Sequence, residues 1–254
     1  MSAIPIPVPG PALRKLTLTE LKLLIRTPAV LFWGIGFPVV GLIVLGLIPG
    51  TDRPVKVFGG ASVLQTYLPI IITFMLVMTG VQFLPTTLVG YRERGILRRM
   101  FTTPVTPRAL LTAQLSLLLG VQIVTAAVIV ILATGAFSAS VGQPLAFLIA
   151  FLLLAAAAST LGLLVAAVSF TSKAASAVGG VLFFVLMFFS GLWLPRAEMP
   201  GPLRAVSDAL PVGAGVQAIQ DAAAGHWASG LYFGVLAAWV IVCGVLAVRL
   251  FRWE

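Results

Sequence analysis

Residues 144–168 read PLAFLIAFLLLAAAASTLGLLVAAV and contain no charged residue. A bilayer core about 30 Å thick needs roughly 20 apolar residues in a helix to cross it, so this stretch is long enough to span. It is one of six. Residues 28–49, 62–89, 109–134, 174–194 and 230–248 also lack Asp, Glu, Lys, Arg and His, and nearly every charge falls in the gaps between the runs. Backbone amides in lipid find no water, so each run must satisfy its own hydrogen bonds as a helix. A barrel would alternate polar and apolar residues, and these runs do not. The expected fold is an all-α integral membrane protein with six transmembrane helices, forming one domain over residues 1–254.

Composition agrees. Of 254 residues, 60% are hydrophobic and 9% charged, with mean hydropathy +1.12. An ordinary soluble domain carries about 25% charged residues. Six spans and their connections use almost the whole chain, which leaves no room for a soluble catalytic domain. Cys243 lies inside the last run and reads as a small buried apolar side chain. Arg outnumbers Lys and Ala, Gly and Val are frequent, a composition that points toward a GC-rich bacterial source.

The net charge of +9 is accounted for by topology. Alternate loops divide the cations unequally. One side holds Arg14, Lys15, Lys22, Arg26, Arg92, Arg94, Arg98, Arg99, Arg108, Lys173, Arg249 and Arg252. The other holds Arg53, Lys56, Arg196 and Arg204. The positive-inside rule puts the twelve, and with them both termini, in the cytoplasm. Three acids (Glu20, Glu93, Glu254) accompany the twelve, and four (Asp52, Glu198, Asp208, Asp221) balance the four outside. No nucleic-acid partner is needed to explain the charge. The location expected is the bacterial cytoplasmic membrane.

The connections carry their own patterns. Residues 1–11 are Pro-rich and uncharged and read as a flexible lead. Residues 12–26 place Leu13, Leu16, Leu21 and Leu24 on one face, with cations beside them, as in a helix lying in the membrane interface. Residues 91–108 read YRERGILRRMFTTPVTPR. Ile96, Leu97, Met100 and Phe101 make an apolar stripe, and Pro104 and Pro107 end it. Such a segment either docks in a partner's groove or serves only as a positive-inside anchor. In the fourth span Ala155, Ser159, Gly162 and Ala166 form a small-residue ladder that lets helices approach closely. The long outer connection, 195–229, holds two short amphipathic segments divided at Pro211, suited to dipping back into the outer leaflet.

Catalytic chemistry is missing. There is no G-x-x-x-x-G-K-[ST] phosphate loop and no H-E-x-x-H zinc pair. One histidine, His226, makes no metal site. The spans hold no ionisable residue, which proton-coupled carriers ordinarily require. Sodium coupling through hydroxyls and broken-helix carbonyls stays open. Polar residues inside the spans either line a path or bridge helices. The chain is therefore read as a non-enzyme without an energy source of its own.

With TELKLLIRTPAVLFWGIGFP near its start, YRERGILRRMFTTPVTPRALLTAQ after the second span and LPVGAGVQAIQDAAAG before the sixth, the chain resembles the type 2 permeases of ATP-binding-cassette (ABC) exporters. The likeness extends over essentially the whole chain and is nearest to the small drug and antibiotic-resistance permeases of the daunorubicin type. It implies two six-helix subunits, this chain with a second copy or a paralogue, carrying two separate ABC ATPase subunits. ATP and Mg would be bound by those subunits, and this chain would bind no cofactor or metal. It implies a coupling helix over residues 93–101, with Arg92, Glu93, Arg94, Gly95, Leu97, Arg98, Arg99 and Phe101 resting on the ATPase. It implies a connecting helix at 12–26 and re-entrant outer helices between the fifth and sixth spans. A path between the second and fifth spans would be lined by Thr73, Thr79, Gln82, Phe184 and Phe188. The Phe-rich fifth span suits a lipophilic cargo. Polysaccharide and glycolipid exporters share the scaffold and form the alternative; a sodium-coupled carrier is a further one.

Overall fold

The computed structural model describes residues 10–55, 60–96, 107–137 and 139–250. Among them no strand forms. The chain folds as α1 (Gly10–Ile25), α2 (Pro28–Leu47), α3 (Val63–Glu93), α4 (Pro107–Ala136), α5 (Pro144–Val168), α6 (Ser172–Phe189), α7 (Gly201–Ala209), α8 (Pro211–Ala223) and α9 (Gly230–Leu250). Six of these helices are long and apolar enough to cross a membrane: α2 to α6 and α9. The protein is an all-α, multi-pass membrane protein.

The ends of these helices are set by local chemistry. Ser62 and Gln65 cap α3 reciprocally, each side chain accepting the other's backbone N–H at 3.1 Å. Thr171 caps α6 by accepting the Ala174 N–H. The sequence reading carried the fifth span to residue 194. Instead α6 stops at Phe189, because Ser190 turns its hydroxyl back to the Met187 carbonyl and Gly191 adopts φ +92°. At the other boundary α3 runs on to Glu93, beyond the apolar run that ends near residue 89.

Two helices widen into π turns, at Phe32–Gly36 in α2 and Met78–Phe83 in α3. Each lies just before a proline, Pro38 and Pro85. A proline cannot donate to the carbonyl four residues back and its ring crowds that carbonyl, so the turn expands. Consistently, Phe37 donates to the Phe32 carbonyl and Leu84 to the Thr79 carbonyl, each five residues back. The two π turns meet: a Cβ on Gly34 would stand 3.0 Å from the Thr79 methyl.

The helix α3 is the hub. Residues from Leu68 to Val77 are buried without a break, whereas α2, α6 and α9 present long exposed apolar faces. Its π turn packs against α5 through glycine. A Cβ on Gly162 would lie 1.9 Å from the Gly80 carbonyl oxygen, and one on Gly80 would lie 2.9 Å from the Ala158 backbone. Ala155, Gly162 and Ala166 are buried at this contact, while Ser159 is only partly covered. The small-residue ladder is thus the seam between the hub and α5.

At about 1.5 Å per residue, α7 and α8 are too short to span. The apolar face of α8 is wedged against α3, α5 and α9, and its Gly215 sits against Leu154. The α7–α8 corner is tied down at three points. Ser207 donates to the Phe189 carbonyl at 2.7 Å, Trp239 donates to the Ala209 carbonyl at 2.9 Å, and Arg196 grips Asp208 at 2.7 Å through both carboxylate oxygens. Arg196–Asp208 is the only ion pair among the described residues.

Candidate functional site

The end of α3 opposite its Ser62 cap gathers the first half of the predicted coupling residues. The helix stops there because Gly95, at φ +67°, takes the left-handed position after the last turn. The Arg94 N–H closes on the Gly90 carbonyl and the Gly95 N–H on the Arg92 carbonyl. Glu93 is therefore the last residue of α3 rather than the first of a separate helix, and Ile96 packs on Tyr91 and Leu110. Leu97, Arg98, Arg99 and Phe101 lie outside the described residues.

From this end of α3, side chains reach three other elements. The Tyr91 hydroxyl donates to Glu20 of α1 at 2.6 Å, and both residues are buried, Glu20 to 7% exposure. Arg94 lies over the Tyr91 ring at 5.7 Å and donates to the Gly90 carbonyl. Arg92 donates to the Ser169 carbonyl in the α5–α6 turn. Glu93 accepts from both the backbone N–H, at 3.1 Å, and the hydroxyl of Ser172, the first residue of α6. A carboxylate at a helix N-terminus meets unpaired N–H groups and the positive end of the helix dipole. The result is a polar joint linking α1, α3 and the α5–α6 turn, at the point in the chain that leads into residue 97.

Neither Glu20 nor Ser172 stood out in the sequence. The signal for Glu20 was present: it lies four residues after Leu16 and four before Leu24, so it falls inside the apolar stripe of α1. Burial raises its carboxyl pKa, only partly offset by the Tyr91 hydrogen bond. An acid whose pKa is raised on folding binds more protons folded than unfolded, so stability falls as pH rises from its usual value of 4.5 toward the higher folded value. Replacing Glu20 by Gln is expected to flatten that part of the stability–pH curve, measured by thermal unfolding between about pH 4 and 7.

The five predicted path residues do not converge within one chain. The Thr73 hydroxyl donates to the Pro69 carbonyl of its own helix. Thr79, in the α3 π turn, accepts from the Gln122 amide of α4 at 2.8 Å and donates to the Met75 carbonyl. Gln82 reaches Ser176 of α6 only at 3.4 Å, and its own amide oxygen is buried without a partner. Phe184 is 63% exposed and stacks on Trp193, with centroids 5.9 Å apart. Phe188 packs edge-to-face on Phe189. Thr79 and Gln82 open into different cavities, the first among α1 to α4, the second between α3 and α6. Of the two uses open to polar residues here, Thr79 and Gln122 bridge helices. No cluster of His, Cys, Asp and Glu fit for a metal exists among the described residues.

Comparison with curated proteins gives no significant match. Residues 11–223 match the family of ABC-2 type transporters, from the start of α1 to the end of α8, and so take in both the joint and the hub. With six apolar helices of spanning length, a seam of small residues and a match over most of its length, the chain belongs to the ABC-2 type transporter family as a membrane permease component.

Proposed function

We propose that this permease exports a lipophilic cargo, a drug, antibiotic or lipid-like molecule, across the bacterial cytoplasmic membrane. Two six-helix subunits, this chain with a second copy or a paralogue, form the path, and two separate ATPase subunits bind ATP and Mg. The excess of Arg and Lys in one set of loops supports placing both termini and residues 93–107 in the cytoplasm. The exposed apolar face of α6 around Val181, Phe184 and Val185 supports an interface with a second subunit and a lipophilic path along it.

The observation that carries the mechanism is the polar joint. A displacement of residues 97–106 by the ATPase pulls first on the end of α3. From there Tyr91 carries it to Glu20 on α1, while Arg92 and Glu93 carry it to the α5–α6 turn. Helix α6 borders the proposed path, so its N-terminus moves with the push. The rest of the bundle resists, because α3 is locked against α5 through Gly80 and Gly162.

Tandem purification of the full chain in mild detergent, with mass spectrometry of its companions, tests this reading. An ABC ATPase at one copy per permease is the expected result. A clean preparation lacking any ATPase, repeated in nanodiscs, together with sodium-driven flux by this chain alone in liposomes, overturns it.

A further inference from the structure

A cavity of about 460 Å³ lies among α1, α2, α3 and α4; it shares Phe83 and Thr86 with the α3–α6 face assigned to cargo. Its size falls within the range of about 300–1,000 Å³ usual for ligand sites. Its mouth is cationic. Arg26, which follows α1, has no ion-pair partner among the described residues, and Arg94, over the Tyr91 ring, lines the same cavity. Glu20 also lines the mouth but is turned to the Tyr91 hydroxyl. Two guanidinium groups and one engaged carboxyl thus line the cavity, and of the guanidinium groups Arg94 also donates to the Gly90 carbonyl. Farther along the helices from these charges the walls are mostly apolar, with Ile35, Phe83, Leu118 and Val121, interrupted by the hydroxyls of Thr79 and Thr86.

Gln114 of α4 also lines the cavity. Its amide oxygen is buried and has no hydrogen-bond partner. Buried polar groups are seldom left unpaired, since each costs about 1–3 kcal/mol. Gln114 is seven residues into α4, about 10 Å from the start of that helix. Cations at the rim, one amide a turn or two deeper and apolar walls beyond follow the order of groups in a glycerophospholipid: phosphate, polar glycerol region, acyl chain.

We propose that this cavity binds one anionic glycerophospholipid of the inner leaflet, with its phosphate at Arg26 and Arg94, its glycerol region at Gln114 and an acyl chain along Ile35, Leu118 and Val121. The lipid is a resident ligand rather than cargo. It joins α1 to α2 and α4 beside the Glu20–Tyr91 contact, and so stiffens the joint on which coupling depends. The inner-leaflet assignment rests on the orientation proposed above.

The test uses the full chain with whatever ATPase accompanies it, stripped of lipid by detergent exchange. Phosphatidylglycerol, phosphatidylcholine or inorganic phosphate is then added back. Native mass spectrometry counts retained lipid and thermal unfolding reports stabilisation. One phosphatidylglycerol per permease chain and a higher unfolding temperature are expected, with little effect from phosphatidylcholine and none from phosphate. Arg26→Gln, at an exposed position, weakens the phosphatidylglycerol response about fivefold. Val121→Phe fills the cavity and abolishes retention while leaving the charge intact; its elution as a folded complex is checked in the same run. Equal stabilisation by phosphatidylcholine, protection by phosphate alone, or wild-type retention in both variants overturns the proposal. Absence of an ATPase from the preparation counts against the transport reading only, because lipid retention is read on the permease chain itself.

Discussion

Gly162→Ala is expected to deprive the protein of its folded bundle, although the change adds a single methyl group. The new Cβ would stand 1.9 Å from the Gly80 carbonyl oxygen. That atom belongs to the backbone of α3, the most buried helix, and no side chain can rotate away to make room. Either α5 leaves α3 or the π turn at Met78–Phe83 is lost. Overpacking typically costs about 1–3 kcal/mol and more where the backbone must move, a large share of a marginal stability. Gly120→Ala is the control: nothing lies within 4 Å of its added Cβ, and helix propensity alone favours the change by up to about 1 kcal/mol. Fluorescence-detected size exclusion and thermal unfolding read both. A monodisperse Gly162→Ala protein with wild-type thermal stability would contradict the seam described here.

The second large effect is expected in coupling. Glu93→Ala should lower transport per ATP hydrolysed about fivefold or more, within the range usual for energetic coupling between sites, while the complex still assembles. If Glu93 acts through the N-terminus of α6, then Ser172→Ala reproduces the defect in part, and the double variant is no worse than Glu93→Ala alone. Glu93→Gln keeps an acceptor oxygen for the Ser172 N–H but loses the charge, so it should fall between. The Glu93→Ala, Arg98→Ala pair tests the wider loop. Transport and ATPase rates measured together in liposomes decide: additive losses would place Glu93 on the ATPase surface instead, and full transport by the Glu93→Ala, Arg98→Ala pair would remove the loop from coupling.

Much of the scaffold was legible because the bilayer is a demanding solvent. Uncharged runs of spanning length admit only helices, so residues 144–168 could be bounded from the sequence, and α5 occupies those residues. Pro211 likewise marked the break between α7 and α8, since a proline cannot continue the helix before it. The ends of α3 and α6 were less legible. Gly95 and Gly191 set them through left-handed backbone conformations, while hydropathy fades gradually across both.

The candidate site was less legible than the fold. Arg92, Glu93 and Arg94 attracted notice as charges, but charge alone does not say which carboxylate faces a partner protein and which caps a helix in its own chain. Ser169 and Ser172 fell in the gap between two apolar runs and were given no role, and Glu20 was counted only among the acids beside the twelve cations. Their roles arise from pairings across 71 to 79 residues of sequence, a separation that no local pattern reports.

The sequence by itself determined the class of the protein, the number of its spans and the segregation of its cations, because the cost of exposing a charge or an unpaired amide to lipid acts residue by residue. Only the tertiary structure decided which helix is the hub, that Gly162 closes on Gly80, and that Glu20 meets Tyr91. Those outcomes depend on close approach between distant segments, where an ångström of backbone separation decides whether a methyl group or a hydrogen bond fits.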